Sequence, residues 1–575
     1  MKKLFKYIRP YLFWTLISPL FMLLEVSMDL LQPQFMSKII DIGVANGDKA
    51  YIVKTCIFMC CIALVGVVGG VGNMIFSTKA SYGFAKDLRS DVYRKIQSFS
   101  FANIDDFKTG SLVTRTTNDI TQIQNAFNSC IRMLIRSPFL CIGGVVMVLT
   151  ISPKLSLVVL AAIPFLVILI CVLLKKGRVL FMTMQEKMDK INTVMQENLS
   201  GIRVIKAFGR SDYEKKKFKA ANDDLCNSSM KAMKMLSLAF PFINLIMNAT
   251  MVCMYLFGGK MTFAGELTPG QVMAFSNYVM QILLSLTMSS FTLMFLSRAG
   301  VSVRRVNEVL NTVSDITDGD NEKAEVTKGM VEFKNVSFRY PNSSGEPVLK
   351  NVSFTAAPGE TVAILGATGS GKSTLINLIP RLYDVSEGEL LVDGVNVKDY
   401  KLSALRGRIG VALQESVLFT GSIGENLRWG DENADEDVIR QAAEIAQAAP
   451  FVEKLPDGYE TELGQRGVNL SGGQKQRLCI TRALVKHPKI LILDDSTSAV
   501  DLSTEAKIQT GLREYFGDMT VFIIAQRISS VMDADKILVI DNGRIVDSGT
   551  HNELKARCDI YREIVVSQLG EEAAS

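Results

Sequence analysis

The chain has 575 residues, 48% of them apolar, with a mean hydropathy of +0.22 and a net charge of +5. That length allows two or more domains, and so small a charge excludes any argument for a nucleic-acid partner. Its ten cysteines form no C-x-x-C pair, against a zinc site or a disulfide framework. Several (Cys56, Cys60, Cys61, Cys141, Cys171 and Cys253) fall in apolar runs, where a thiol packs as a small hydrophobe.

The apolar residues crowd into the first half. Six stretches there reach the ~20 mostly apolar residues that a spanning helix needs: about 11–31, 52–77, 132–150, 155–174, 237–258 and 268–296. No small-residue cleavage site follows MKKLFKYIRP, so the first stretch reads as an anchored span. Lys2, Lys3, Lys6 and Arg9 place its leading end in the cytoplasm, and an even number of spans returns the chain there. Long charged segments separate the second span from the third and the fourth from the fifth, for example SYGFAKDLRSDVYRKIQSF and KMDKINTVMQENLSGIRVIKAF. Each is predicted to form two helical arms reaching about 35–40 Å into the cytoplasm at ~1.5 Å per residue. Their tips are expected near Lys108–Asp119 and Ala207–Arg210.

Glu25 and Asp29 lie one helical turn apart in the first span, a costly place for carboxylates unless they face protein or water. They either pair with polar groups on neighbouring helices or bind a cation or basic substrate. Asn244, Asn248, Asn277 and Gln281 in the last two spans pose the same choice between interhelical bonding and substrate contact. Met247, Met251, Met254, Met273, Met280, Met288 and Met294 suit varied apolar ligands, and equally suit ordinary packing.

The membrane part is predicted to fill residues 1–310, an acidic linker 311–329, and a soluble α/β domain 330–575. That domain opens with VEFKNVSFRY, whose alternation predicts a strand at a sheet edge. Tyr340, just before Pro341, is placed to stack on an adenine ring. Turn residues at Asp393-Gly394 and Asn542-Gly543 predict two hairpins.

The decisive stretch is TVAILGATGSGKST, Thr361 to Thr374: a strand, then glycines, then the start of a helix. It fits G-x-x-x-x-G-K-[ST]. Backbone N–H groups of Gly366, Thr368, Gly369, Ser370 and Gly371 must wrap closely around phosphate oxygens, which leaves no room for side chains at the glycines. The helix that follows aims its N-terminus at the same anion. Lys372 would reach the β- and γ-phosphates, Ser373 would ligate Mg²⁺, and Thr374 completes the loop of this ATP site. Further on, KILILDD puts carboxylates at the end of an apolar strand, Asp494 to orient the Mg²⁺ shell and Asp495 to polarise water.

With Gln414 in VALQESVLF, LSGGQ at Leu470–Gln474 and SAVD at Ser498–Asp501, the chain resembles an ATP-binding-cassette exporter half-transporter over essentially its whole length. The resemblance implies an all-α membrane domain of six spans followed by a P-loop α/β domain, with ATP and Mg²⁺ as ligands. It implies that Gln414 serves the metal and the attacking water. It also implies that Ser471, Gly472, Gly473 and Gln474 grip the ATP of a second cassette, so that the chain must pair. The expected activity is ATP-driven efflux of small amphipathic compounds, drugs or lipids, across the plasma membrane.

Two residues depart from the family's pattern. Asp495 stands where glutamate is usual, and Gln526, in TVFIIAQRISS, stands where a switch histidine is expected. Together they suggest a site that binds ATP and hydrolyses it slowly, in a heterodimer whose other chain carries the glutamate and histidine. A homodimeric exporter, a regulatory ATP-binding subunit and an ATP-gated channel are the alternatives.

Overall fold

A computed structural model describes residues 5–341 and 343–570, with side chains at 174, 178 and 289–298 left aside. Lys2, Lys3 and the side chain of Met294 therefore lie outside the described residues. The chain forms two compact units: Met1–Gln97 with Gly110–Asn311, and Ser98–Thr109 with Thr312–Ser575.

The helices of the first half run in order as α1 (Leu12–Lys38), α2 (Lys49–Gln97), α3 (Phe101–Phe107, part of the second unit), α4 (Ile120–Ile151), α5 (Pro153–Ser200), α6 (Ile202–Ala207), α7 (Ser211–Phe263) and α8 (Pro269–Asn311). Five segments among the described residues are helical, long and apolar enough to cross a membrane: Phe5–Val44, Lys49–Gln97, Thr109–Ile151, Pro153–Ser200 and Ser211–Phe263. Helix α8 covers the sixth predicted stretch. Helix α2 has 49 residues, about 73 Å at 1.5 Å per residue, against ~30 Å of hydrocarbon, so it is more than twice as long as a span requires. Close helix approach depends on small residues. A Cβ on Gly69 would lie 2.9 Å from the Glu25 nitrogen and the Phe21 carbonyl oxygen of α1. Around α8 the core gathers Val148, Leu155, Met247, Met254, Phe275, Tyr278 and Ile282. Met247 and Met254 are thus packing residues, whereas Met273, Met280 and Met288 are exposed.

The first tip lies earlier in the chain than the expected Lys108–Asp119. The chain turns at Ser98–Thr109, and residues 109–119 already belong to the returning helical run. Ser100 caps α3, accepting from the Asn103 N–H while Asn103 accepts from the Ser100 N–H, both at 3.3 Å. Lys108, at φ +56, makes the reversal instead of Gly110. The second tip, between Ser200 and Ser211, falls as expected.

In the second unit, β1 (Val331–Phe338), β2 (Leu349–Ala356), β4 (Glu387–Val392) and β5 (Val395–Asn396) form an antiparallel sheet in the order β2-β1-β4-β5. Strand β1 is therefore interior and not an edge; alternation reports a half-buried strand but not how many neighbours it has. The larger sheet has β3 (Thr361–Leu365), β6 (Ile409–Ala412), β7 (Ile490–Asp494), β8 (Thr520–Ile524), β9 (Lys536–Asp541) and β10 (Arg544–Gly549), in the order β10-β9-β3-β8-β7-β6. All neighbours are parallel except β9 and β10. Both faces are buried. Val362, Ile364, Ile490, Ile492, Phe522 and Ile524 point to one core, and Ala363, Leu365, Leu491, Leu493, Val521 and Ile523 to the other. The two hairpins form as predicted, with Asp393 and Asn542 at φ +48 and Gly394 and Gly543 at φ +79 and +80.

The residues ahead of β1 are strapped to this unit. The Asp393 carboxylate accepts from the N–H groups of Thr327, Lys328 and Met330 at 2.7, 2.9 and 2.8 Å, and the Arg381 guanidinium donates to the Thr317 carbonyl at 2.9 Å. Tip helix α3 is held in the same unit, where the Tyr383 hydroxyl donates to Asp105 at 2.8 Å.

Candidate active site

Parallel strands β3, β8, β7 and β6 end on the same side of the sheet, and in such sheets ligands bind beyond the carboxyl ends. Strand β3 feeds the loop Gly366–Gly371 and then α9 (Lys372–Leu378). Gly371 is the N-cap at φ +102, where a Cβ would lie 2.9 Å from the Leu349 side chain and 3.2 Å from the Val348 carbonyl. Gly366, at φ +155, has the carbonyl of Ile540 where a Cβ would stand. Strain in such regions costs about 1–3 kcal/mol. Gly371→Ala is accordingly expected to weaken MgATP binding by roughly tenfold or more, measured by isothermal titration calorimetry.

Thr368 and Gly369 are exposed on the loop, whereas Ser370 and Thr374 are buried. The Lys372 ammonium donates to the carbonyls of Gly366 and Ala367, each at 2.9 Å, and so stands at the loop's mouth. Burial lowers its pKa, opposed by the charges of Asp494 and Asp495. Tyr340 touches the loop helix from the side. Its hydroxyl is 3.0 Å from Thr374 Oγ1, and its ring meets Phe338 and Tyr383 edge-on at 4.9 and 5.2 Å.

Strand β7 delivers the carboxylates. Ser373 Oγ donates to Asp494 Oδ1 at 3.2 Å, and Asp495 follows at φ +48. Burial raises the pKa of both; the Ser373 bond and Lys372 oppose this for Asp494, the Gln526 bond and Lys372 for Asp495. Beyond β8, Gln526 Nε2 donates to Asp495 Oδ2 at 3.0 Å. Gln414 is exposed two residues past β6, whose register pairs Ala412 with Leu493. That register ends one residue short of Asp494, and no described hydrogen bond joins Gln414 to Ser373 or Asp494.

Two observations test whether these residues fit a phosphate-bound Mg²⁺. The Ser370 hydroxyl is buried with no partner among the described residues, a group that a phosphate oxygen would satisfy. Ser373, Asp494 and Gln414 offer hydroxyl, carboxylate and amide oxygens, the hard donors Mg²⁺ takes. The set fits.

The signature stretch opens α10 (Gly472–Val485). Ser471 Oγ accepts from the Gln474 N–H at 3.3 Å and Gln474 Oε1 from the Ser471 N–H at 2.8 Å, a capping box that uses the Gln474 side chain locally. A Cβ on Gly473 would come 2.7 Å from the Ala499 carbonyl oxygen. Gln476, which no motif singled out, is buried and donates to Ser498 Oγ at 3.1 Å while accepting from the Ala499 N–H at 2.9 Å. It ties the signature helix to the segment just after Asp495; the LSGGQKQR repeat of glutamines carries the only sequence signal for it. Gln476→Ala is expected to halve ATP turnover or worse while leaving nucleotide affinity within about twofold, read from the kcat and KM of the pure chain.

In the membrane unit, Glu25 and Asp29 are paired. The Arg136 guanidinium contacts Glu25 through Nη1 and Asp29 through Nη2, the latter at 3.0 Å. Asn248 and Asn277 donate within their own helices at 2.9 and 3.1 Å, and Gln281 reaches the Asp29 carbonyl at 3.5 Å. Pairing with polar groups on neighbouring helices accounts for the acidic pair.

Residues 15–286 match the family described as ABC transporter transmembrane region and 349–498 the family described as ABC transporter. The ABC transporter ATP-binding protein YfiB of Bacillus subtilis is 41% identical over 574 residues, covering 100% of both chains. The chain belongs to the ABC transporter family. It is a multi-pass membrane half-transporter of the exporter type, whose cytoplasmic ABC domain binds ATP and whose ATP hydrolysis drives transport. Such half-transporters work as dimers with themselves or with another half-transporter. A bacterial Atm1-family ABC exporter with ATP bound superposes with a TM-score of 0.82 at 26% identity, over 97% of this chain and 98% of that one. A Mycobacterium bovis fatty acid ABC transporter ATP-binding/permease protein is 35% identical over 477 residues, 83% of this chain and 75% of its own.

Proposed function

We propose that this ABC transporter chain is one half of an asymmetric exporter, supplying the slowly hydrolysing ATP site and an intact signature for its partner's site. One observation carries the reading: the Gln526 amide, a neutral donor, sits 3.0 Å from the short carboxylate of Asp495. Asp495 is one methylene shorter than glutamate, about 1.5 Å less reach, and misplacement of about 1 Å can cost ~10²-fold in rate. Glutamine holds its partner by a hydrogen bond but cannot take up a proton as imidazole does.

In this reading the loop Gly366–Thr374 wraps the phosphates, Lys372 leaves the loop carbonyls for the β- and γ-phosphates, and Tyr340 borders the base. Ser373, Asp494 and Gln414 would hold Mg²⁺, which would supply positive charge to neutralise the phosphates. Asp495 orients the attacking water, and Ser471, Gly472, Gly473 and Gln474 face the partner's nucleotide. The functional boundaries are residues 1–310 for the membrane domain, 311–329 for the linker and 330–575 for the cassette. The second tip supports pairing. Leu199, Ile202, Val204 and Phe208 are all exposed there, Phe208 by 77%, an apolar face that a second chain would cover. The cargo is an amphipathic compound, a drug or a lipid, exported across the plasma membrane. The relative named as a fatty acid transporter favours the lipid end of that range.

The test is purification of the chain alone and after co-expression with any half-transporter encoded beside it. Little ATPase alone, restored by the partner, supports the reading. A stable dimer of this chain with brisk, substrate-stimulated ATPase would instead establish a homodimeric exporter, the second reading.

A further inference from the structure

We propose that Gln568, in the last turn of the C-terminal helix, is a positioning residue for the switch loop that carries Gln526. The inference rests on the reading of Gln526 given above. Strand β8 ends at Ile524, and the backbone then runs through Gln526 and Arg527 into a short turn at Ile528–Ser530. Gln568 Nε2 donates to the Gln526 carbonyl at 2.8 Å, and Gln568 Oε1 accepts from the Ile528 N–H at 2.8 Å. One carboxamide thus pairs with the loop on both sides of Arg527, as a neighbouring strand's peptide group would. The loop lies beyond the sheet's hydrogen bonding, so this clamp takes over where the ladder bonds stop.

The clamp is mounted on a rigid element. Helix α11 (Asp559–Leu569) buries Tyr561 and Val565 completely, and the Tyr561 hydroxyl lies 2.7 Å from His551 Nδ1. From the clamped loop, Gln526 reaches Asp495 at 3.0 Å, and the Arg527 guanidinium reaches the carbonyls of Ser498 and Val500, both at 3.4 Å. The backbone between two catalytic-site contacts is therefore set by a residue that touches neither Asp495 nor the phosphate loop. Both clamp bonds are to backbone atoms, so they would hold any side chain placed at 526.

The experiment measures kcat and KM for MgATP on the full-length chain in nanodiscs, by release of labelled phosphate. In such a preparation every ATP site is built from this chain. Gln568→Ala is expected to lower kcat about fivefold and leave KM within about twofold, because the loop carries Gln526 to Asp495 and makes no described bond to the phosphate loop. Gln568→Glu keeps the acceptor for Ile528 but sets a carboxylate oxygen against the Gln526 carbonyl, so it should be no better than alanine. In a Gln526→Ala background, Gln568→Ala should cost nothing further. Unchanged kcat in Gln568→Ala, full activity in Gln568→Glu, or the same loss in both backgrounds would overturn the inference while leaving the Gln526 reading intact. Unaltered turnover in Gln526→Ala would overturn that reading, and the inference with it.

Discussion

The double substitution Asp495→Glu/Gln526→His is expected to raise ATP turnover of the pure chain by one to two orders of magnitude, about what ~1–1.5 Å of restored reach is worth at a reacting centre. The two residues form one unit, 3.0 Å apart across the ends of neighbouring strands β7 and β8, so the singles should fall well short of the double. Glutamate at 495 alone lengthens the carboxylate but leaves it bonded to an amide that cannot charge. Histidine at 526 alone faces a carboxylate that is still too short. The pH profile gives a second check. Only the ionised carboxylate polarises water, and burial raises the Asp495 pKa. Activity of the natural chain should therefore fall on acidification at a higher pH than an exposed aspartate would dictate. The double variant should add a dependence near pH ~6.5, where imidazole titrates.

Arg136→Met is expected to lower the stability of the chain by about 1.5–3 kcal/mol, the cost of leaving two partly buried carboxylates without their charged hydrogen-bond partner. One guanidinium serves both Glu25 and Asp29, with Glu25 17%, Arg136 32% and Asp29 38% exposed. The triple variant Arg136→Met/Glu25→Gln/Asp29→Asn removes all three charges and should recover most of the loss. Thermal unfolding in nanodiscs, followed for the single and triple variants together, reads both. A triple variant as unstable as the single would mean that the arginine contributes packing along its stem and not charge balance.

Residue type and short spacing make several features legible in the sequence itself. The strand, loop and helix at Thr361–Thr374, the hairpins at Asp393-Gly394 and Asn542-Gly543, and the long helical arms all follow from local chemistry. What stays hidden depends on partners far along the chain. Arg136 lies over a hundred residues from Glu25, and nothing in either span announces which helix faces which. Gln476 and Gln568 look like ordinary surface glutamines until the packing of α10 and α11 brings them to Ala499 and Ile528. Strand β1 passes for an edge because its alternation is the same with one neighbour or two. At the first tip Gly110 draws the expected turn toward itself, while the capping box at Ser100 and Asn103 is the real start signal.

The tip helix α3 has a practical meaning for anyone exchanging parts between relatives. Residues 98–109 cluster with the cassette and not with the helices that flank them in sequence, through Tyr383 to Asp105 at 2.8 Å and the Phe101–Tyr383 ring pair at 6.2 Å. A chimera cut once, after Asn311, would carry a foreign surface beneath a native Phe101 and Asp105. The portable module is discontinuous, and a functional graft needs a second, twelve-residue patch in the first arm.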